Sequence, residues 1–198
     1  WHSAEKPGYS SVAIISKVKP DEVVAGIGDP QFDNEGRVLA ARFGTLVIIS
    51  AYFPNSREAG ARLPYKIDFC TLMEKYLAAW RKKGNEVLLM GDYNIAHQPI
   101  DLARPKENEK NAGYLPDERA WMTKFLGAGY HDVFRERNPD VVGAYTWWTN
   151  WGGARQRNVG WRIDYGCVTK GLVDRVTETS IQSRIMGSDH CPVTVALS

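Results

Sequence analysis

Two periods alternate along this chain, and the switch between them is the strongest constraint on its fold. Tyr65, Phe69, Leu72, Met73, Tyr76, Leu77 and Trp80 recur at helical spacing. Pro64 suits the first turn of that helix and Gly84 suits its stop. On either side lie short β-branched runs, TLVIISAY (45–52) and residues 86–91, bounded by turn formers. RVLAARF (37–43) precedes the first of these, and Gly44 between them predicts a tight hairpin. SVAIISKV (11–18), WRIDYGCVT (161–169) and PVTVAL (192–197) read as further strands. A shorter helix is expected over about 117–126. Residues 93–116 are polar, and 140–160 read as a Gly-, Trp- and Arg-rich loop. Strands and helices that mix in this way, with hairpins present, point to a layered α/β fold with mixed sheets.

The 198 residues fit one domain of ordinary size, and a hydrophobic fraction of 43% can fill its core. No stretch approaches the about 18 apolar residues of a membrane span. The opening WHSAEKPG has no secretory pattern and no initiator Met, which predicts a chain that begins inside a longer product. Cys70, Cys167 and Cys191 are odd in number and widely spaced, which argues against a disulfide framework and for a reducing compartment. A net charge of +2 carries no general nucleic-acid signal; a local concentration of charge would be needed.

The chemistry gathers at strand ends. VLLMGDYNIAH (87–97) runs from apolar residues into Asp92 and Asn94, two apart and on one face if extended. A carboxylate there can hold a hard cation or take a proton from water, and a neutral amide can donate without adding negative charge. The alternative is a strand-end turn. Asp164, inside an apolar strand, needs a partner; Arg162 is one candidate, as a structural ion pair on the same face. Asp189 and His190 in GSDHCP (187–192) could act as acid, base or phosphate ligand, or be an ordinary loop pair. Tyr52 and Asn55 in AYFPNS (51–56) could contact a phosphate, or form a turn with a packed Tyr. Trp147, Trp148, Trp151 and Trp161, interleaved with Arg155, Arg157 and Arg162, suit stacking beside phosphates, although some of these indoles would anchor the loop. Four such strand ends together would build a metal-assisted phosphodiesterase.

GDYNIAH (91–97), NVGWRIDY (158–165) and GSDHCP (187–192), in this order, resemble the exonuclease III / apurinic-apyrimidinic endonuclease family of the endonuclease–exonuclease–phosphatase superfamily. So do GYSSVAIIS (8–16), GIGDPQFDNEGRV (26–38), AYFPN (51–55), PIDLARPKENEKNAGY (99–114) and AYTWWT (144–149), so the resemblance covers essentially the whole chain. It implies a four-layer α/β sandwich, two mixed sheets packed face to face with helices outside, as one catalytic domain over 1–198. It implies Mg²⁺-dependent cleavage of duplex DNA 5′ to an abasic site, with Mn²⁺ as a substitute and with 3′-phosphodiesterase and 3′–5′ exonuclease activities.

By resemblance, Asp92 orients or deprotonates the attacking water, and Asn94 holds the water and the scissile phosphate. Tyr52 and Asn55 contact that phosphate, and His190, paired with Asp164, polarises it. Asp92, Asn94, Asp189 and His190 form the metal side of the site. Trp147, Trp148, Trp161 and Ile163 wall the pocket for the abasic sugar, and Tyr9 and Asn111 approach DNA. The implied partner is duplex DNA with abasic or 3′-blocked lesions, met by a monomer away from membranes, in bacterial or archaeal cytoplasm or a eukaryotic nucleus. Family members open with a strand ending in Asn and, after a helix, a strand ending in a metal-binding Glu. Residues 1–9 hold no counterpart, so an N-terminally incomplete metal site is expected. The alternatives are a sibling phosphodiesterase acting on undamaged nucleic acid or phosphate esters, and a DNA-binding fragment without catalysis.

Overall fold

The computed structural model describes residues 1–198. Its strands are β1 (Glu22–Ala25), β2 (Val38–Phe43), β3 (Leu46–Tyr52), β4 (Glu86–Asp92), β5 (Tyr130–Asp132), β6 (Asp164–Thr169), β7 (Val176–Ile181) and β8 (Val193–Leu197). Its helices are α1 (Pro30–Asp33), α2 (Leu63–Lys82), α3 (Pro105–Asn108), α4 (Pro116–Gly127), α5 (Val133–Arg137) and α6 (Lys170–Val173). Six strands form one mixed sheet in the order β1-β2-β3-β4-β6-β5, and β7 and β8 pair separately. Within the large sheet only β3 and β4 run parallel, joined by α2. The β2–β3 hairpin turns at Gly44-Thr45, because Phe43 pairs with Leu46.

The period-2 pattern of β3 decides its faces. Val47, Ile49 and Ala51 are buried and meet the stripe Phe69, Cys70, Met73, Leu77 and Trp80 of α2, together with Trp121, Met122 and Phe125 of α4. Each Val, Ile, Leu, Met or Phe side chain among them contributes about 1.5–3 kcal/mol when taken from water. On the opposite face Leu88 and Val168 pack with Leu172 and Val176, against Val195 and Leu197 of the second sheet. The two sheets come so close that a Cβ on Gly166 would lie 2.5 Å from the Val195 side chain. The result is the layered α/β architecture expected from the sequence, with the long helices α2 and α4 on one face of the large sheet and the small sheet, flanked by the short helices α5 and α6, on the other.

Three readings of the sequence need correction. Residues 11–18 form no strand: only Val12 bridges, to His2, and Ile15 is 98% exposed. A β-branched run becomes a strand only where a neighbour offers a ladder. The strand predicted over 161–169 begins at Asp164, after residues 161–163 have been diverted by other partners. β1, β5 and β7 were not legible, since EVVA, YHD and VTETSI are short or polar for their surroundings.

Candidate active site

Tyr52, Asp92 and Asp164 lie in one row across the sheet. Tyr52 pairs with Asp92 at the end of β3–β4, and Asp92 pairs with Asp164 where β6 begins. Ladder neighbours stand about 5 Å apart, so the two carboxylates face each other at one sheet edge. Gly91 makes this possible. Its φ is +141°, and a Cβ there would fall 1.9 Å from the Ala51 carbonyl oxygen of the adjoining strand.

The loops beyond the sheet edge complete the site. Isolated bridges join Trp147 to Trp161 and Trp147 to His190, bringing the aromatic tract and the GSDHCP segment alongside. A cavity of about 290 Å³ results, lined by Tyr52, Asn55, Asp92, Asn94, Ala112, Gly113, Trp147, Trp161, Ile163, Asp189 and His190. Five segments read separately in the sequence therefore meet in one place.

The polar groups are wired to one another. The Asn94 main-chain N–H donates to Asp92 Oδ1 at 2.7 Å, and Asn94 Nδ2 donates to Asp92 Oδ2 at 2.9 Å. The same Nδ2 donates to the Phe53 carbonyl at 3.1 Å, while Asn55 Nδ2 donates to Asn94 Oδ1 at 2.8 Å. Both Asn94 side-chain protons are thus engaged, and Asn94 orients Asp92 at the cavity wall. His190 Nδ1 donates to Asp164 Oδ2 at 2.9 Å, which leaves Nε2 as the free ring nitrogen. The partner of His190 is Asp164, 26 residues upstream, and not its neighbour Asp189. Asp189 Oδ2 instead accepts from the Trp147 indole N–H at 3.0 Å.

Electrostatics follow from these contacts. Burial, reinforced by the opposing Asp164 carboxylate, pushes Asp92 up to about 7. Burial alone would lower His190, but the Asp164 carboxylate outweighs it and raises the imidazole above its ordinary value. Asp189 is held below the usual carboxylate range because the Trp147 hydrogen bond and the His190 charge outweigh its burial. Burial and the Asp92 charge raise Tyr52.

Other expected site residues lie elsewhere. Trp148 is 2% exposed; its indole N–H donates to Asn158 and Arg155 stacks on its ring, so it anchors the loop and does not wall the cavity. Asn111 is an exposed residue bonded to Asn108, beside the lining residues Ala112 and Gly113. Tyr9 faces a second cavity of about 310 Å³, which shares Tyr52 and Asn55 with the first and adds Arg37, Arg57 and Arg62. Arg162 does not pair with Asp164: its Nε donates to Asp101 at 2.8 Å and its two terminal nitrogens to Asp132 at 3.1 and 2.7 Å. Two-residue spacing shares a face only within a regular strand, and β6 starts after Arg162. Arg37, Arg57 and Arg62 were missed because they are scattered along the sequence, Arg37 just before β2 and the others in the segment between β3 and α2, and no local pattern joins them.

No three His, Cys, Asp or Glu side chains converge on a common metal position. Hard cations such as Mg²⁺ keep several waters and need only one or two carboxylates, so the oxygen-rich set of Asp92, Asn94 and Asp189 fits such an ion as part of its shell. A second carboxylate opposite Asp92 is a further reason for a cation nearby.

Comparison with known proteins agrees with this chemistry. Residues 1–190 match the Endonuclease/Exonuclease/phosphatase family. The chain is 43% identical to an exodeoxyribonuclease of Bacillus subtilis, over 100% of this chain and 78% of that protein. It is 43% identical to the DNA repair nuclease APEX1 of Danio rerio, over 99% of this chain and 63% of that protein. An AP endonuclease structure from Archaeoglobus fulgidus superposes with a TM-score of 0.79 at 25% identity, covering 90% of this chain and 71% of that one. With Asp92, Asp164 and His190 gathered at one sheet edge and these likenesses along its length, the chain belongs to the endonuclease/exonuclease/phosphatase family of hydrolases, on the branch of the exodeoxyribonucleases and AP endonucleases.

Proposed function

We propose that this chain carries the catalytic site of a DNA-repair nuclease that hydrolyses the phosphodiester 5′ to an abasic site in duplex DNA. The observation that carries the reading is the in-register pair Asp92–Asp164 with His190 bonded to it, where Asp92 and His190 line one cavity with Trp147, Trp161 and Ile163. Asp92, lining the cavity, is the carboxylate placed to accept a proton from the attacking water. Asn94 fixes both of its oxygens toward that task. The Nε2–H of a protonated His190 donates to the phosphoryl oxygen where charge grows, and Asp164 stabilises that imidazolium. Tyr52 and Asn55 supply neutral donors to the same phosphate. Water adds to phosphorus as its proton passes to Asp92, the P–O bond to the 3′ oxygen breaks, and that oxygen takes a proton from solvent and leaves as a 3′-hydroxyl, with the phosphate kept on the 5′ side of the abasic sugar.

Mg²⁺, held in part by Asp92 and Asp189 with Asn94 beside them, would supply charge neutralisation at the phosphate. The aromatic wall fits a sugar without a base better than a whole nucleotide, which favours abasic over intact DNA. The second cavity, with Arg37, Arg57 and Arg62 around Tyr9, suits a neighbouring phosphate of the same strand. Trp151, 83% exposed in the aromatic tract, is free to stack on a base. The same site would trim 3′-blocking groups and 3′ nucleotides, and a monomer suffices for it.

The test is a duplex with one abasic-site analogue, incubated with Mg²⁺ or EDTA beside an intact duplex, with binding measured in parallel. Incision at the lesion that EDTA stops is the expected result. Equal cleavage of intact duplex would replace the reading with a general phosphodiesterase. Binding without incision would favour a DNA-binding unit, a reading that draws on the lack of three converging metal ligands.

A further inference from the structure

Lys66 lies on the inner face of α2 with no exposed surface, surrounded at helical spacing by Phe69, Cys70 and Met73. A lysine in such a core persists only where its ammonium is matched. Nζ donates to Glu118 Oε1 at 2.7 Å and to the main-chain carbonyl of Asn94 at 2.6 Å. Glu118, equally buried in the first turn of α4, also accepts from Ser56 Oγ at 2.7 Å and from the Leu115 N–H at 2.9 Å. Ser56 follows Asn55, and Leu115 follows the cavity-lining Gly113 by two residues. One ion pair therefore ties two helices to the three loops that present Asn55, Asn94 and Gly113.

Asn94 is where the tie has consequences. Its φ is +51°, in the left-handed region, and that turn sends its main-chain N–H and its side-chain amide back to the two oxygens of Asp92. The Lys66 ammonium grips the carbonyl at the other end of the same residue. We propose that Lys66 and Glu118 are positioning residues: a buried ion pair that locks Asn94 into the backbone conformation that aims both its amides at Asp92, without touching the substrate. The inference rests on the hydrolase reading of Asp92 above.

Three variants test it: Lys66→Met, Lys66→Met with Glu118→Gln, and Glu118→Gln alone. Two readouts are taken, hydrogen exchange of the Asn94 amide against that of Leu77, and kcat and KM for incision of the abasic duplex with Mg²⁺. Removing one partner of a buried pair destabilises, whereas neutralising both together restores much of the stability. The double variant should therefore recover a Tm near that of the parent. Its Asn94 amide should still exchange at least about 10-fold faster, with kcat down roughly 100-fold and KM within about twofold. Parental Asn94 protection and parental kcat in the double variant would overturn the proposal. Glu118→Gln, isosteric and the mildest change, is read in the same way and carries the test if the others do not fold. Should the parent chain itself fail to incise, the nuclease reading falls and the exchange measurement alone decides the positioning role.

Discussion

Asp92 illustrates how one side chain can be costly to the fold and useful to the chemistry. Its acid form is favoured in the folded state up to about pH 7, while in the unfolded chain it ionises near the ordinary carboxylate value. Between those two values the folded state holds the extra proton, so this group makes stability fall as pH rises through that window. In EDTA, denaturant unfolding of the parent should show that decline, and Asp92→Asn should flatten it and raise the Tm at pH 8. The same variant should lose incision by about 10²–10⁴-fold, the usual worth of a positioned base. A Tm that fell on this substitution would show that Asp92 is not strained. For His190, an NMR titration in EDTA should place the imidazole above its ordinary value, and Asp164→Asn should bring it back down. An unmoved titration would mean that Asp164 is not its partner in solution.

At the scale of elements, the site depends on how closely strands approach. Gly91→Ala would drive a methyl into the Ala51 carbonyl of β3, so the β3–β4 ladder must open at its functional end. A loss of roughly 2–4 kcal/mol in denaturant unfolding is expected, since overpacking and a disfavoured φ add. A loss under about 0.5 kcal/mol, the range of ordinary surface changes, would count against that view of the strand end. The Arg162 network works in the same way for the wall. Arg162 sits between Trp161 and Ile163, both of which line the cavity, while its own side chain is anchored to Asp101 and Asp132 on the other side. Replacing it with Met strands the buried Asp132 carboxylate and leaves Asp101 with Arg135 as its one cation, which should cost about 3–5 kcal/mol in a thermal or denaturant melt. Little of this was visible in the sequence. Periodicity placed α2, α4, β2, β3, β4 and β8, because each carries its own burial pattern. It could not place β1, β5 or β7, whose strand character comes from the neighbour they pair with.

Across the whole molecule, a net charge of +2 hides a local asymmetry. Arg37, Arg57 and Arg62 share one cavity beside Tyr52 and Asn55, and Arg57 is the exposed member. If that cavity takes a DNA phosphate, Arg57→Ala should weaken binding of any duplex and reduce the slope of log affinity against log salt by about 1. An unchanged slope would remove Arg57 from the DNA track. Trp161→Ala, by contrast, should leave the salt slope alone and erode the preference for abasic over intact duplex, as measured by the ratio of kcat/KM values.

Local sequence was enough for the alternation of strands with one long amphipathic helix, for the acidic, amide and imidazole groups at the strand ends, and for the motifs that mark the family. These are local properties, set by side-chain period and residue chemistry within a few positions. Which of these groups meet was a matter of packing across the whole chain. Antiparallel register set Asp92 opposite Asp164, a loop crossing delivered His190 to Asp164 instead of Arg162, and the aromatic tract split into the cavity wall of Trp147 and the buried anchor Trp148. The Lys66–Glu118 pair joins residues 52 apart and three loops besides. Long-range pairing depends on the packing of the whole sheet, and no short window of sequence contains it.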